Sequence, residues 1–161
     1  MLIGVVSDNH GSVPNMLQAV TLLGNSPVEV VIHCGDIVSA SVIPYFAPWP
    51  THFVFGNCDI DTASLRATIA EAGQTCHGRF GELELENRRI AFLHSDDHTR
   101  FQQTISSGMY DLVCYGHTHR YEHHRVGKTL VLNPGALYRA NPLSFALVDL
   151  TTMEVTHVPL P

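Results

Sequence analysis

The residues in this chain best equipped for chemistry are His117 and His119, carried by the stretch Gly116-His117-Thr118-His119. They follow the apolar run Asp111-Leu112-Val113-Cys114-Tyr115, which reads as a strand, and functional groups collect just past strand ends in open α/β sheets. Near-extended backbone turns residues i and i+2 the same way, so the two imidazoles can serve one metal or two adjacent metals. Alone, such a pair carries little weight in a chain with 11 histidines. Its weight comes from the other segments that end in the same kind of residue.

Those segments emerge in chain order. Leu2 to Ser7 is a short continuous apolar run, as expected of a strand buried on both faces, and it stops at Asp8-Asn9-His10-Gly11-Ser12. Val13, Met16, Leu17, Val20 and Leu23 then repeat at helical spacing, with Ser12 as N-cap and Gly24-Asn25 as the stop. Val28 to His33 is a second buried strand running into Cys34-Gly35-Asp36, followed by a short helix over Ile37 to Phe46 that Pro44 breaks. His52 to Phe55 forms a third strand ending at Gly56-Asn57-Cys58-Asp59, and a helix from about Thr62 to Ala72 closes at Gly73.

From Phe80 the texture changes. Gly81 to Glu86 alternates apolar with acidic residues and Asn87-Arg88-Arg89 turns it into Ile90 to Leu93, an antiparallel hairpin with one solvated face that ends at His94-Ser95-Asp96-Asp97-His98. A helix from about Arg100 to Ser107 leads to the strand before the histidine pair. Two further hairpins follow, Tyr121 to Val126 with Thr129 to Leu132, and Phe145 to Leu150 with Glu154 to Val158; Asn133-Pro134-Gly135-Ala136 is one more loop after a strand. An opening βαβαβ order with a β-rich second half implies sheets of mixed strand direction layered with helices, in one domain over residues 1–161.

Composition narrows the function. Hydrophobic residues are 45% and charged residues 15%, as in compact globular chains. The formal charge of -6 comes without any basic run, which argues against a sequence-independent grip on nucleic acid and for a small substrate. No stretch is long and apolar enough for a signal peptide or a membrane span, and Cys34, Cys58, Cys76 and Cys114 lack metal-binding or disulfide spacing; both point to a cytoplasmic protein with reduced thiols. Histidines outnumber the 9 Lys and Arg residues, and histidine is the residue that most often binds transition metals.

Collected together, the polar residues just after strands are Asp8, His10, Asp36, Asn57, His94, His117 and His119. Such oxygen and nitrogen donors suit two divalent ions with one carboxylate placed to bridge them. The mixed set favours manganese, with iron, zinc, nickel or cobalt as alternatives, over calcium or magnesium. Asn57 is telling, because a neutral amide is a poor general base but a serviceable ligand.

The ordered series DNH, GD, GNCD, LHS and GHTH resembles the calcineurin-type metallophosphoesterase superfamily, and within it the small bacterial and archaeal phosphodiesterases grouped with a retromer subunit. The resemblance implies a four-layer αββα sandwich of two mixed sheets. It implies Asp8, His10 and His119 on one metal, Asn57, His94 and His117 on the other, and Asp36 bridging. A hydroxide held between two cations is a nucleophile at neutral pH, and the cations neutralise phosphoryl charge during in-line displacement. In that reading Asp36, Asn57 and His94 are the catalytic residues.

Departures from the pattern matter. Cys58 stands where larger members have a histidine that helps the leaving group, which implies slow turnover or a preference for good leaving groups. His98 is the candidate for the place of the family's second histidine after His94, at an offset that departs from the pattern. Ala136 stands where a serine is common, and Asp59 matches and is expected to orient a neighbouring histidine. The leading expectation is a metal-dependent phosphodiesterase acting on a small phosphate ester. The alternatives are a nucleotide pyrophosphohydrolase, a cyclic nucleotide phosphodiesterase and a non-catalytic protein-binding scaffold of the same fold; homo-oligomerisation stays open.

Overall fold

The structure, a computed structural model, describes all 161 residues. Short β-branched runs form its strands: β1 (Leu2–Val6), β2 (Val28–His33), β3 (Thr51–Phe53) and β4 (Thr75–Cys76) lie parallel to one another. They are completed by β10 (Ser144–Asp149), antiparallel to β1, and β11 (Glu154–Pro159), giving the strand order β11-β10-β1-β2-β3-β4. The second sheet has the order β5-β6-β7-β9-β8, from β5 (Phe80–Leu85), β6 (Arg88–Leu93), β7 (Leu112–Tyr115), β8 (Tyr121–Val126) and β9 (Thr129–Pro134). Here β6, β7 and β9 run parallel, and β5 and β8 are antiparallel edges.

Period-two burial divides each central strand between two cores. Ile3, Val5, Ile32, Phe92, Cys114, Leu132 and Val148 pack between the sheets. On the outer face of the first sheet, Val6, Val31 and Phe53 meet α1 (Val13–Gly24), a 3-10 helix (Ala40–Phe46) and α2 (Thr62–Glu71) through Met16, Leu23, Phe46 and Leu65. On the outer face of the second, Ala91, Val113 and Tyr115 meet α3 (His98–Ser106) through Phe101 and Ile105. The result is the αββα sandwich that the family resemblance implies, with helices covering both sheets.

Local differences from the sequence reading have local causes. The expected helix over 37–46 is a 3-10 helix that starts only at Ala40. Val38 sits at φ 67, outside helical space, and Pro44 has no N–H for an α ladder. The third helix starts at His98 rather than Arg100, because the Asp97 carboxylate caps it by accepting from the Arg100 N–H at 3.0 Å. Ser12 makes no side-chain cap; its backbone N–H instead closes a turn on the Asn9 carbonyl at 2.8 Å. The two-residue edge strand β4 was too short to carry a pattern. No helix is long and apolar enough to cross a membrane.

Candidate metal centre

All parallel strands deliver their C-terminal ends to one side of the sandwich. The loop after β1 carries Asp8 and His10, that after β2 Asp36, after β3 Asn57 to Asp59, after β6 His94, and after β7 His117 and His119. A backbone ladder joins the first two loops: Asp8 N–H donates to the Gly35 carbonyl, His10 N–H to that of Asp36, and Gly11 N–H to that of Ile37, at 2.9–3.0 Å. Seven residues of these loops that are not glycine stand at positive φ: Asp8 (54), His10 (44), Asp36 (55), Val38 (67), Ser95 (78), His117 (75) and His119 (58). Left-handed backbone is costly for side chains with a Cβ, and its concentration here is the strain that functional sites accumulate.

The donors converge. His119 Nε2 is 3.1 Å from Asp8 Oδ1, His94 Nε2 is 3.2 Å from Asp36 Oδ2, and His10 Nε2 is 3.4 Å from Asp36 Oδ2. Three overlapping groups each place their ligand atoms within 4.8 Å of one another: Asp8, His10 and His119; Asp8, Asp36 and His94; and His10, Asp36 and Cys58. Asp8 and Asp36 each belong to two of them. Asp8 Oδ1, His10 Nε2 and His94 Nε2 are buried and have no aligned hydrogen-bond partner. Orphaned buried polar atoms are expensive, and divalent cations bound among these groups would satisfy them. The donor set therefore fits the metal ions that the sequence implies.

Second partners aim the imidazoles inward. His94 Nδ1 donates to the Cys34 carbonyl at 2.8 Å and His119 Nδ1 to the Arg139 carbonyl at 3.3 Å, which leaves both Nε2 atoms facing the carboxylates. Asp8 Oδ2 accepts from the Ser7 hydroxyl at 2.5 Å and the His117 N–H at 3.0 Å, freeing Oδ1. Asp36 Oδ1 accepts from the Cys58 N–H at 2.9 Å, freeing Oδ2. Two glycines permit this density: a Cβ on Gly56 would lie 2.1 Å from Asp36 Oδ1, and one on Gly116 2.1 Å from Ser7 Oγ.

Charge follows geometry. Burial pushes the Asp36 carboxyl up, but His94 and the Cys58 N–H outweigh it and hold it well below the usual carboxylate range. Asp8 is likewise lowered, burial being overcome by His119, His94 and Ser7. Burial pulls His94 down, yet Asp36 and Asp8 bring it above its ordinary value, and Asp8 raises His119 against its burial. His10 goes the other way, lowered first by burial and then by the neighbouring imidazoles. The carboxylates thus draw protons onto His94 and His119, and a bound cation would displace them.

The expected residues divide into three sets. Asp8, His10, Asp36, His94 and His119 meet directly, with Cys58 beside them. His117 packs edge-on against His94, ring centroids 5.1 Å apart, and Asn57 is exposed, its amide 3.5 Å from Cys58 Sγ. His98 is exposed at the start of α3 with Phe101 as its ring neighbour, so it is not brought to the cluster. Asp59 does not face a histidine: its oxygens accept from the backbone N–H groups of Val38 (2.7 Å) and Gly56 (2.8 Å), tying two site loops together.

Several supporting residues escaped the sequence reading. His33 is fully buried, accepts from the Gly35 N–H at Nδ1 (3.2 Å) and donates from Nε2 to Asn9 Oδ1 (2.9 Å), which fixes its tautomer. Asn133 holds the Gly116 carbonyl and the Thr118 hydroxyl. The Tyr138 ring lies 5.2 Å from that of His10, and the Arg139 guanidinium covers it. Buried polar residues next to the loops were the available signal for His33 and Asn133; Tyr138 and Arg139 had none.

Residues 1–153 match the calcineurin-like phosphoesterase superfamily domain. Phosphodiesterase MJ0936 of Methanocaldococcus jannaschii is 33% identical over 138 residues, covering 84% of this chain and 83% of its own. A solved archaeal phosphodiesterase superposes with a TM-score of 0.92 at 30% identity, over 99% of this chain and all of the other. Vps29 of Entamoeba histolytica, at 18% identity with full coverage of both chains and a TM-score of 0.67, shares the fold. The strand-end cluster of carboxylates and imidazoles and these likenesses lead to one conclusion: the chain belongs to the calcineurin-like phosphoesterase superfamily, a family of hydrolases that use divalent metal ions.

Proposed function

We propose that the protein is a phosphodiesterase that works with two divalent transition metal ions, manganese favoured, and that residues 1–161 form one such domain. The observation that carries this is the convergence of Asp8 Oδ1, His10 Nε2 and His94 Nε2, all buried, close to one another's carboxylates and imidazoles, and without an aligned hydrogen bond. Asp8, His10 and His119 would hold one ion, Asn57, His94 and His117 the other, and Asp36 would reach both. When bound, the ions supply an activated water at neutral pH and neutralise charge on the phosphoryl oxygens.

The chain's own residues set the rest. Positive charge at the centre reverses the local field of a protein of formal charge -6 and lets an anionic ester approach. Burial, with Asp36 beside it, pushes the Cys58 thiol up to about 11, so Cys58 is a weak proton donor to a departing alkoxide. Esters with good leaving groups, diesters of phenols among them, are the expected substrates. Free thiols at Cys34, Cys58, Cys76 and Cys114 agree with a reducing cytoplasmic setting, and the absence of a basic run agrees with a small phosphate ester rather than a nucleic acid polymer.

The test is hydrolysis of bis(p-nitrophenyl) phosphate against p-nitrophenyl phosphate by chelator-stripped protein, with and without Mn²⁺. Restoration by metal with the diester preferred is the expected result. Asp36→Asn, His94→Ala and His117→Ala should each lower the rate by orders of magnitude with the far-UV spectrum unchanged. Equal rates in these variants refute the residue assignment, and failure to bind metal returns the scaffold reading.

A further inference from the structure

The two proposed ligand sets are held in different ways. Asp8 and His10 stand on the backbone ladder between the first two loops, and both Asp8 and its Ser7 partner are fully buried. Asn57, His94 and His117 come from three separate loops, and side chains join these loops at two points. Ser95 Oγ donates to the Gly116 carbonyl at 3.1 Å, linking the His94 loop to the His117 loop. Arg79 donates from Nη1 to the Gly56 carbonyl at 3.3 Å and from Nη2 to Asp96 Oδ2, linking the Asn57 loop to the His94 loop.

We propose that Ser95, Asp96 and Arg79 form a bracket that positions Asn57, His94 and His117, so that affinity for the second ion depends on it. The inference rests on the two-ion reading above. Ser95 takes a left-handed backbone (φ 78), and its hydroxyl makes a link that a residue without a side chain could not. Asn57 is exposed and bonds only its neighbour Cys58, so its position is that of the Gly56-Asn57 backbone. Arg79 holds that backbone at the Gly56 carbonyl, and Asp59 holds it at the Gly56 N–H. A guanidinium fork has fixed geometry, so bonding two loops at once sets the distance between them.

The bracket is distinguishable from a mere surface ion pair. Half-exposed pairs contribute little to stability, so a purely structural role leaves metal binding unmoved. A purely electrostatic role has the opposite sign: removing a cation beside a cation site tightens binding. A positioning role weakens it, and only at the second ion. The first ion is expected to bind more tightly because Asp8 and His10 stand on the backbone ladder, and Arg79 bonds neither their loop nor that of His119.

The experiment is calorimetric titration of chelator-stripped protein with Mn²⁺, with bound metal counted independently. Arg79→Gln should raise the weaker dissociation constant by about ten- to a hundredfold, the usual cost of losing an outer-shell partner, and leave the tighter one unchanged. Arg79→Lys, which keeps the charge and loses the fork, should also weaken it. Arg79→Gln combined with Asp96→Asn should weaken it no further than the stronger single change, because the two act as a unit. Arg100→Gln removes a nearby cation whose guanidinium stacks on Phe80 and bonds neither loop, keeps the Arg100 backbone N–H that Asp97 caps, and should not weaken either site. A second ion bound as tightly or more tightly by Arg79→Gln overturns the bracket alone, provided His94→Ala and His117→Ala abolish that ion. Fewer than two ions in the unaltered protein, or a second ion indifferent to His94 and His117, overturns both the two-ion reading and the bracket.

Discussion

Gly56→Ala tests how tightly the centre is built. The new Cβ would lie 2.1 Å from Asp36 Oδ1 and 2.7 Å from the Asp36 nitrogen, where ordinary contact begins at 3.4 Å. Both obstacles belong to the residue proposed to bridge the ions, and one of them is backbone. Asp36 cannot yield freely, since its Oδ1 accepts from the Cys58 N–H at 2.9 Å and its carbonyl from the His10 N–H at 3.0 Å. Overpacking of this kind costs about 1–3 kcal/mol, and weakening a hydrogen bond to a carboxylate adds about 1–2 kcal/mol. At about 2–4 °C per kcal/mol for a chain of this size, the metal-free protein should melt about 5–15 °C lower. Misplacement of a bridging carboxylate by about 1 Å should lower turnover at least ~100-fold. Gly73→Ala is the control: it also inserts a Cβ, at φ +70 but with nothing within 4 Å, and should cost only about 1 kcal/mol with activity unchanged. Scanning calorimetry and the diester assay read both variants. A Gly56→Ala protein that melts with the unaltered one and turns over at its rate would refute the packing argument.

Other expectations follow from the same geometry. Saturating Mn²⁺ at about 100 times its dissociation constant should stabilise by about 2.7 kcal/mol per site, raising the melting temperature by several degrees, and chelator should reverse it. His33, pushed down to about 4 by burial from 6.5, is neutral in the fold while the unfolded chain takes up the proton first. Stability present above about pH 6.5 is therefore lost as pH falls towards 4, by about 3 kcal/mol, and urea titrations of the metal-free protein should show a shallower loss in His33→Gln. Gly24→Ala, at the last residue of α1 with nothing within 4 Å and no left-handed backbone, should stabilise by about 0.5–1 kcal/mol in thermal melts.

Much of this was legible in the sequence because its signals were local. Continuous Val and Ile runs fixed the buried strands, and the polar residue just past each run, Asp8, Asp36, His94 or His119, marked where the strand ends gather. Hydrogen bonds between loops distant in sequence left no such trace. That Asp59 would grip Val38 and Gly56 rather than a histidine depends on how two loops pack. His98 was misleading because one residue of spacing decides whether a side chain starts a helix or faces a site, and the Asp97 cap decided for the helix. His33 read as an ordinary histidine at a strand end, and only its burial shows that it locks Asn9 and Gly35.

The pairing of β1 bears on how the protein is made. Leu2 to Val5 lie between β2 on one side and β10 on the other, with Leu2 opposite Asp149 and Val5 opposite Ala146. A strand thus completes its hydrogen bonding only with one that is translated well over a hundred residues later. At about 5–20 residues per second, β1 waits roughly 7–30 s for that partner, its edge open to any other extended segment. Such long-range pairing also slows folding. Yield in a cell should therefore respond to translation rate and chaperone supply, and truncation within β10 should give an aggregating product even though every proposed metal ligand precedes it in the chain.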